Sequence, residues 1–163
     1  MDCETASRPS RLGARFCDPS SRRCRRCAPQ EPEVVLTSAD WQGTYADNSN
    51  HIRNGIGGPR GGPWHLDVVR AGDYEITLAR WPFDKPTALD AALDAKSKAL
   101  PIAAARLTAT GLDLTQNTSS GATSVSFTAK LPAGHTTMQA WFQDAGGMDL
   151  CGAFFARVRF EKP

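Results

Sequence analysis

From Trp64 to Phe160 the apolar residues of this chain recur at alternate positions, in short runs broken by glycine or proline. A period of two puts one face of an extended strand against a core. Trp64, Leu66 and Val68 form one such run, and Tyr74, Ile76 and Leu78 form the next. Ala103, Ala105, Leu107 and Ala109 follow, then Val125, Phe127, Ala129 and Leu131, then Thr136, Met138, Ala140 and Phe142. Phe154, Ala156, Val158 and Phe160 close the series, and Leu112-Asp113-Leu114 reads as a short edge strand. Gly111, Pro132-Ala133-Gly134 and Asp144-Ala145-Gly146-Gly147 supply the turns. Short strands at regular intervals predict a mainly β fold, an antiparallel β-sandwich of jelly-roll-like type.

Gly62 to Pro82 reads as a β-hairpin, with Arg70-Ala71-Gly72-Asp73 as its connection and Pro82 ending the second strand. Val34-Val35-Leu36-Thr37 is a further strand, followed by a polar connection from Ser38 to Trp41. Asn48 to Pro63, dense in Gly and Asn, reads as a long irregular loop of the kind that often carries function. The one short helix is expected over Thr87 to Ser97, capped by Thr87, with Leu89, Ala92, Leu93 and Lys96 at helical spacing.

Composition divides the chain near residue 33. Residues 1–30 hold seven Arg against three acids, whereas the rest carries twelve basic groups against fourteen acids. Residues 1–33 have almost no apolar periodicity, so a disordered basic Cys/Arg-rich segment is expected there, ahead of a sandwich domain over 34–163. Cys3, Cys17, Cys24 and Cys27 all fall in that segment. Cys24-Arg25-Arg26-Cys27 has the spacing of a zinc knuckle without a second matching pair, so no metal site is assigned. A basic tail touching nucleic acid and a misplaced translation start are the other readings of this stretch. The body has no basic excess, so no nucleic-acid partner is expected. No apolar run reaches the roughly 18 residues of a membrane span, and no signal-peptide h-region is visible. Cys151, alone in the body beside Leu150, reads as a small buried apolar residue.

Several stretches together resemble the C-terminal region of bacterial arylsulfatase-like proteins. They are His51-Ile52-Arg53-x-Gly55, Gly62-Pro63-Trp64, and Tyr74-Glu75-Ile76-x-Leu78-x-Arg80-Trp81-Pro82. Leu100-Pro101-Ile102-Ala103, Gln139-Ala140-Trp141-Phe142 and Cys151-Gly152-Ala153-Phe154-Phe155 extend the similarity, which spans about Val34 to Phe160. Sulfatases carry their chemistry elsewhere, on a Cys or Ser in a C/S-x-P-x-R motif that becomes formylglycine beside calcium. Cys17-Asp18-Pro19-Ser20-Ser21-Arg22 misses that motif, with its arginine one place late. The resemblance therefore implies a module without the catalytic core, no cofactor of its own, and a sulfatase catalytic domain as partner. On that reading the chain is a truncated or split gene product.

The candidate ligand-binding residues are His51, Arg53, Trp81 and Trp141. His51 and Arg53 sit in the glycine-rich loop, where a guanidinium can hold sulfate or carboxylate through paired hydrogen bonds, or else both satisfy their own loop. Trp81 and Trp141 are expected on the strand faces opposite the apolar runs, to meet a partner domain or stack on a sugar. Trp64 and Tyr74 are expected in the core, and Arg157 and Arg159 on a solvated strand face. No catalytic residue is assigned. The expected function is a non-catalytic module supporting or extending the substrate side of a sulfatase core. The alternative is an independent module binding sulfated or neutral carbohydrate.

Overall fold

The computed structural model describes residues 14–16, 33–46, 49–54 and 58–162. In chain order the elements are β1 (Ala14–Phe16), β2 (Glu33–Thr37), a 3₁₀ turn (Ser38–Asp40) and α1 (Ser49–Asn54). There follow β3 (Trp64–Val68), β4 (Gly72–Ala79), β5 (Ala104–Ala109) and β6 (Leu112–Asn117). The last four are β7 (Val125–Leu131), β8 (Gly134–Gln143), β9 (Asp149–Gly152) and β10 (Phe155–Lys162). Two antiparallel sheets form: a six-stranded one ordered β1-β3-β8-β5-β6, with β9 also on β8, and a four-stranded one ordered β2-β10-β4-β7. The mainly β, two-sheet architecture is the one the alternation predicts. β6 is an edge strand, as its short apolar run suggests. Residues 14–16, inside the segment set apart by composition, run antiparallel to β3 from Ala14↔Val68 to Phe16↔Leu66. Cys3, Cys17, Cys24 and Cys27 lie outside the described residues.

The expected hairpin over Gly62 to Pro82 is not a hairpin. β3 pairs with β1 and β8, whereas β4 pairs with β10 and β7, so the two strands lie in different sheets. Alternation is equally compatible with both arrangements, because it fixes which face is buried and not which strand is the neighbour. Packing decides here. Trp64, Leu66, Val68, Tyr74, Ile76 and Leu78 are all at most 1% exposed, which is achieved when the two apolar trios belong to the opposed inner faces of a sandwich. Gly72 opens β4, and the crossover is braced by the Tyr74 hydroxyl donating to the Arg70 carbonyl at 2.6 Å. Burial pushes the Tyr74 phenol above its ordinary pKa, against the opposing effects of that hydrogen bond and the nearby Arg70 charge.

The helix expected over Thr87 to Ser97 is absent too; the short helix is α1, in the stretch expected to be an irregular loop. Between Ala79 and Ala104 the chain is irregular. Asp94 and Ser97 close a local turn instead of a helical one. The Lys96 amide donates to Asp94 Oδ1 at 2.9 Å, the Ser97 hydroxyl to the same oxygen at 2.6 Å, and the Asp94 amide to Ser97 Oγ at 2.9 Å. Such side-chain bonds compete directly with the i→i−4 ladder.

At one place in the core three layers of chain nearly touch. Trp41 packs between Trp64 and Phe154, with ring centroids 5.7 and 5.6 Å away. Beside it residues 59–63 are pinned on both sides: the Gly152 amide donates to the Arg60 carbonyl at 2.6 Å, and the Gln42 amide to the Pro63 carbonyl at 3.1 Å. A Cβ on Gly152 would stand 2.7 Å from the Trp41 ring and 2.9 Å from the Gly61 Cα. A Cβ on Gly61 would stand 2.5 Å from the Trp141 ring. Trp41 is buried, whereas Trp141 is only half-buried and can swing aside. Gly152→Ala is therefore expected to destabilise the protein by about 1–3 kcal/mol, the usual cost of overpacking, and Gly61→Ala by clearly less. Urea unfolding of the two variants checks both the size and the order.

Candidate functional site

β4 carries its inward register one step beyond the strand. Tyr74, Ile76 and Leu78 face the core, and Arg80, at the next inward position, is 1% exposed. Its guanidinium reaches the chain that follows it. Nη1 donates to the Leu89 and Ala91 carbonyls, each at 3.2 Å, and Nη2 to the Lys98 carbonyl at 2.5 Å. It lies 4.4 Å above the Trp81 ring, whose Nε1 shares the Ala91 carbonyl at 3.2 Å. No carboxylate among the described residues forms an ion pair with Arg80. Burial lowers its pKa, opposed by the fields of Cys151 and Asp90, and arginine remains cationic at neutral pH all the same.

One wall of a cleft of about 210 Å³ is formed by Arg80. α1 supplies His51, Ile52 and Arg53 to it, and β9 and the residue pair after it supply Cys151 and Phe154. Arg60 and Lys98 contribute two more cations, and Leu100 and Leu150 apolar surface. The irregular 82–103 segment is tied to α1 at this point. Arg53 pairs with Asp94 at 2.8 Å, and the Lys98 amide donates to the Arg53 carbonyl at 2.9 Å. The hydrogen bond from Ser97 chiefly, aided by the Lys96 amide and the Arg53 charge, holds the Asp94 carboxyl below its ordinary pKa. Arg60 donates to the Tyr45 carbonyl at 3.0 Å, and the Tyr45 ring meets His51 edge-on at 5.6 Å.

Of the four residues that sequence reasoning singles out, His51 and Arg53 come together in this cleft. Trp141 lies on the outer face of the six-stranded sheet, as expected, but Gly61 runs across its ring. Trp81 corrects the expectation of an outward face. It is 2% exposed, because the strand has ended and the chain turns inward beneath the loop that Arg80 gathers. It is not an exposed stacking platform. Arg60, Arg80, Lys98 and Cys151 were not among the candidates, although the parity of Arg80 with Tyr74, Ile76 and Leu78 was a usable signal. Trp64 and Tyr74 are core residues, and Arg157 and Arg159 pair on the solvated face with Glu33 at 3.0 Å and Glu75 at 2.7 Å.

Cys151 is buried, and burial pushes its thiol up to about 12, the Arg80 charge opposing only partly. A thiol held neutral is no nucleophile at physiological pH. Among the described residues no group of three or more His, Cys, Asp or Glu side chains is arranged to hold a metal ion. Cys17 lies outside the described residues. His65 and His135 stack on neighbouring strands with ring nitrogens 3.2 Å apart, a pair without a third ligand. No helix among the described residues is long and apolar enough to cross a membrane. The burial of Cys151 predicts that iodoacetamide leaves it unmodified in the folded protein at pH 8 and alkylates it on unfolding in urea. Peptide mapping by mass spectrometry checks this.

No protein-family model matches the chain, and no curated protein matches it. Among solved structures a ruminal GH26 endo-beta-1,4-mannanase is similar, at 14% sequence identity and a TM-score of 0.42. The similarity covers 82% of this chain, which spans 27% of the mannanase chain. A likeness that slight assigns neither family nor activity.

Proposed function

We propose that this chain is a non-catalytic β-sandwich module that supports or extends the substrate side of an arylsulfatase-like catalytic domain. The observation that carries the reading is where the resembling residues fall. Trp64, Tyr74, Arg80, Trp81, Phe142, Gly152, Ala153 and Phe154 are all buried, and Arg80, Gly152 and Phe154 set the spacing of loops and sheets around the basic cleft. Those residues build a framework and one charged recess rather than a nucleophile with its base. A scaffold of this kind positions a surface and performs no bond cleavage itself.

The second reading, an independent carbohydrate-binding module, is favoured by the half-buried Trp141 on the outer sheet face, an indole of the kind on which a sugar stacks, although Gly61 covers part of its ring. The interior position of Trp81 removes the other platform that reading relied on.

Fusing this chain to an arylsulfatase catalytic domain stripped of its own C-terminal region is expected to raise that domain's melting temperature and its turnover of an aryl sulfate. The chain alone is expected to show no turnover, with or without calcium. A fusion no better than the truncated domain contradicts the proposal. So does turnover by the isolated chain that Cys17→Ala abolishes. Retention on a neutral polysaccharide that Trp141→Ala eliminates favours the second reading instead.

A further inference from the structure

We propose that the cleft between α1, β9 and the 82–103 segment is a binding site for a small organic anion, an apolar body carrying one oxyanion head group such as a carboxylate or sulfonate. The inference concerns the cleft itself and stands independently of any docking on a catalytic domain. Five basic side chains line the recess, His51, Arg53, Arg60, Arg80 and Lys98, and among the described residues no carboxylate does. Among the described acids, Asp94 is engaged by Arg53, and Asp90 acts on Arg80 through its field. Between the cations the wall is apolar, from Ile52, Leu100, Leu150 and Phe154. An apolar recess with a few convergent charges is the ordinary form of a small-molecule site.

Two buried polar atoms of the same cleft residues are unpaired. Arg80 Nε and His51 Nδ1 both lack a hydrogen-bond partner. A buried polar group left unsatisfied costs about 1–3 kcal/mol, and such groups are few in native proteins. Arg80 adds a full positive charge that carbonyl dipoles solvate and no carboxylate among the described residues neutralises, in surroundings where water screens it poorly. An oxyanion at this recess is attracted by that charge. Arg53 and Lys98 are already held in place by the Asp94 pair and the Lys98–Arg53 backbone bond, so little ordering is required of the backbone on binding.

The apolar wall separates an organic anion from a free inorganic one, and the cations separate it from a neutral apolar molecule. Titration of the full chain by ¹⁵N NMR with 4-methylbenzoate, 4-methylbenzamide and sodium sulfate, at one ionic strength, reads both distinctions. Methylbenzoate is expected to shift the amides of Ile52, Arg53, Leu150 and Cys151 saturably. The neutral amide and inorganic sulfate are each expected to bind at least tenfold more weakly. The His51→Ala/Lys98→Ala double variant, which removes two of the five basic side chains, should weaken methylbenzoate at least tenfold, and Arg159→Ala, on the opposite sheet's solvated face, should leave it unchanged. Equal binding of the benzoate and the benzamide would overturn the proposal, as would equal binding of sulfate. An undiminished affinity in the double variant, or the absence of any saturable shift at these amides, would overturn it equally.

Discussion

A buried guanidinium is the point on which the irregular part of this molecule hangs. Arg80 leaves the end of β4 on the inward face and meets three carbonyls from a stretch of chain with no regular structure of its own. Those carbonyls need donors once the segment folds over the core, since an unpaired buried C=O is costly. The five donors of an arginine fork are suited to gathering several at once, which a lysine ammonium at the same place cannot reproduce. Leu89, which is 1% exposed, then plugs the core from the same segment, and its amide bonds to the Ala122 carbonyl at 2.8 Å. Charge and packing thus fix one loop together, and the loop in turn brings Lys98 and Leu100 to α1.

That arrangement explains what the alternating pattern reveals and what it conceals. The strands are legible because a period of two is a local property: Val125 to Leu131 alternates buried and exposed without a break. Pairing partners are not local. Trp64–Val68 and Tyr74–Ala79 look like hairpin arms, yet the large side chains of both trios fit only when the strands belong to opposed sheets. The helix expected over Thr87 to Ser97 fails for a related reason. Its carbonyls are taken by Arg80, and its Asp94-Ser97 turn closes on side chains, so helical spacing of Leu89, Ala92 and Leu93 counts for little.

The candidate site was half visible. His51 and Arg53 stand out as polar residues in a glycine-rich stretch, and they do meet. Arg80 is hidden by its charge, because a strand residue that ought to be apolar is easily assigned to solvent, although its position relative to Leu78 places it inside. Gly61 and Gly152 are hidden for another reason. Each is required because a second or third layer of chain passes within reach of a single methyl group, and that distance has no signature in sequence. The Trp141 and Trp41 rings that bracket them show how aromatic bulk and missing side chains are matched across the layers.

The central claim is that Arg80 holds the 82–103 segment, and hence the cleft, while the sheets stand without it. Amide hydrogen exchange in the folded protein, compared with Arg80→Met and Arg80→Lys, tests this directly. In both variants the amides of Leu89, Lys98 and Leu100 are expected to exchange at least tenfold faster, while those of Tyr74, Ile76 and Val158 in the β4–β10 ladder change far less. Unaltered protection at Leu89, Lys98 and Leu100 would contradict the account, as would a uniform acceleration through both regions.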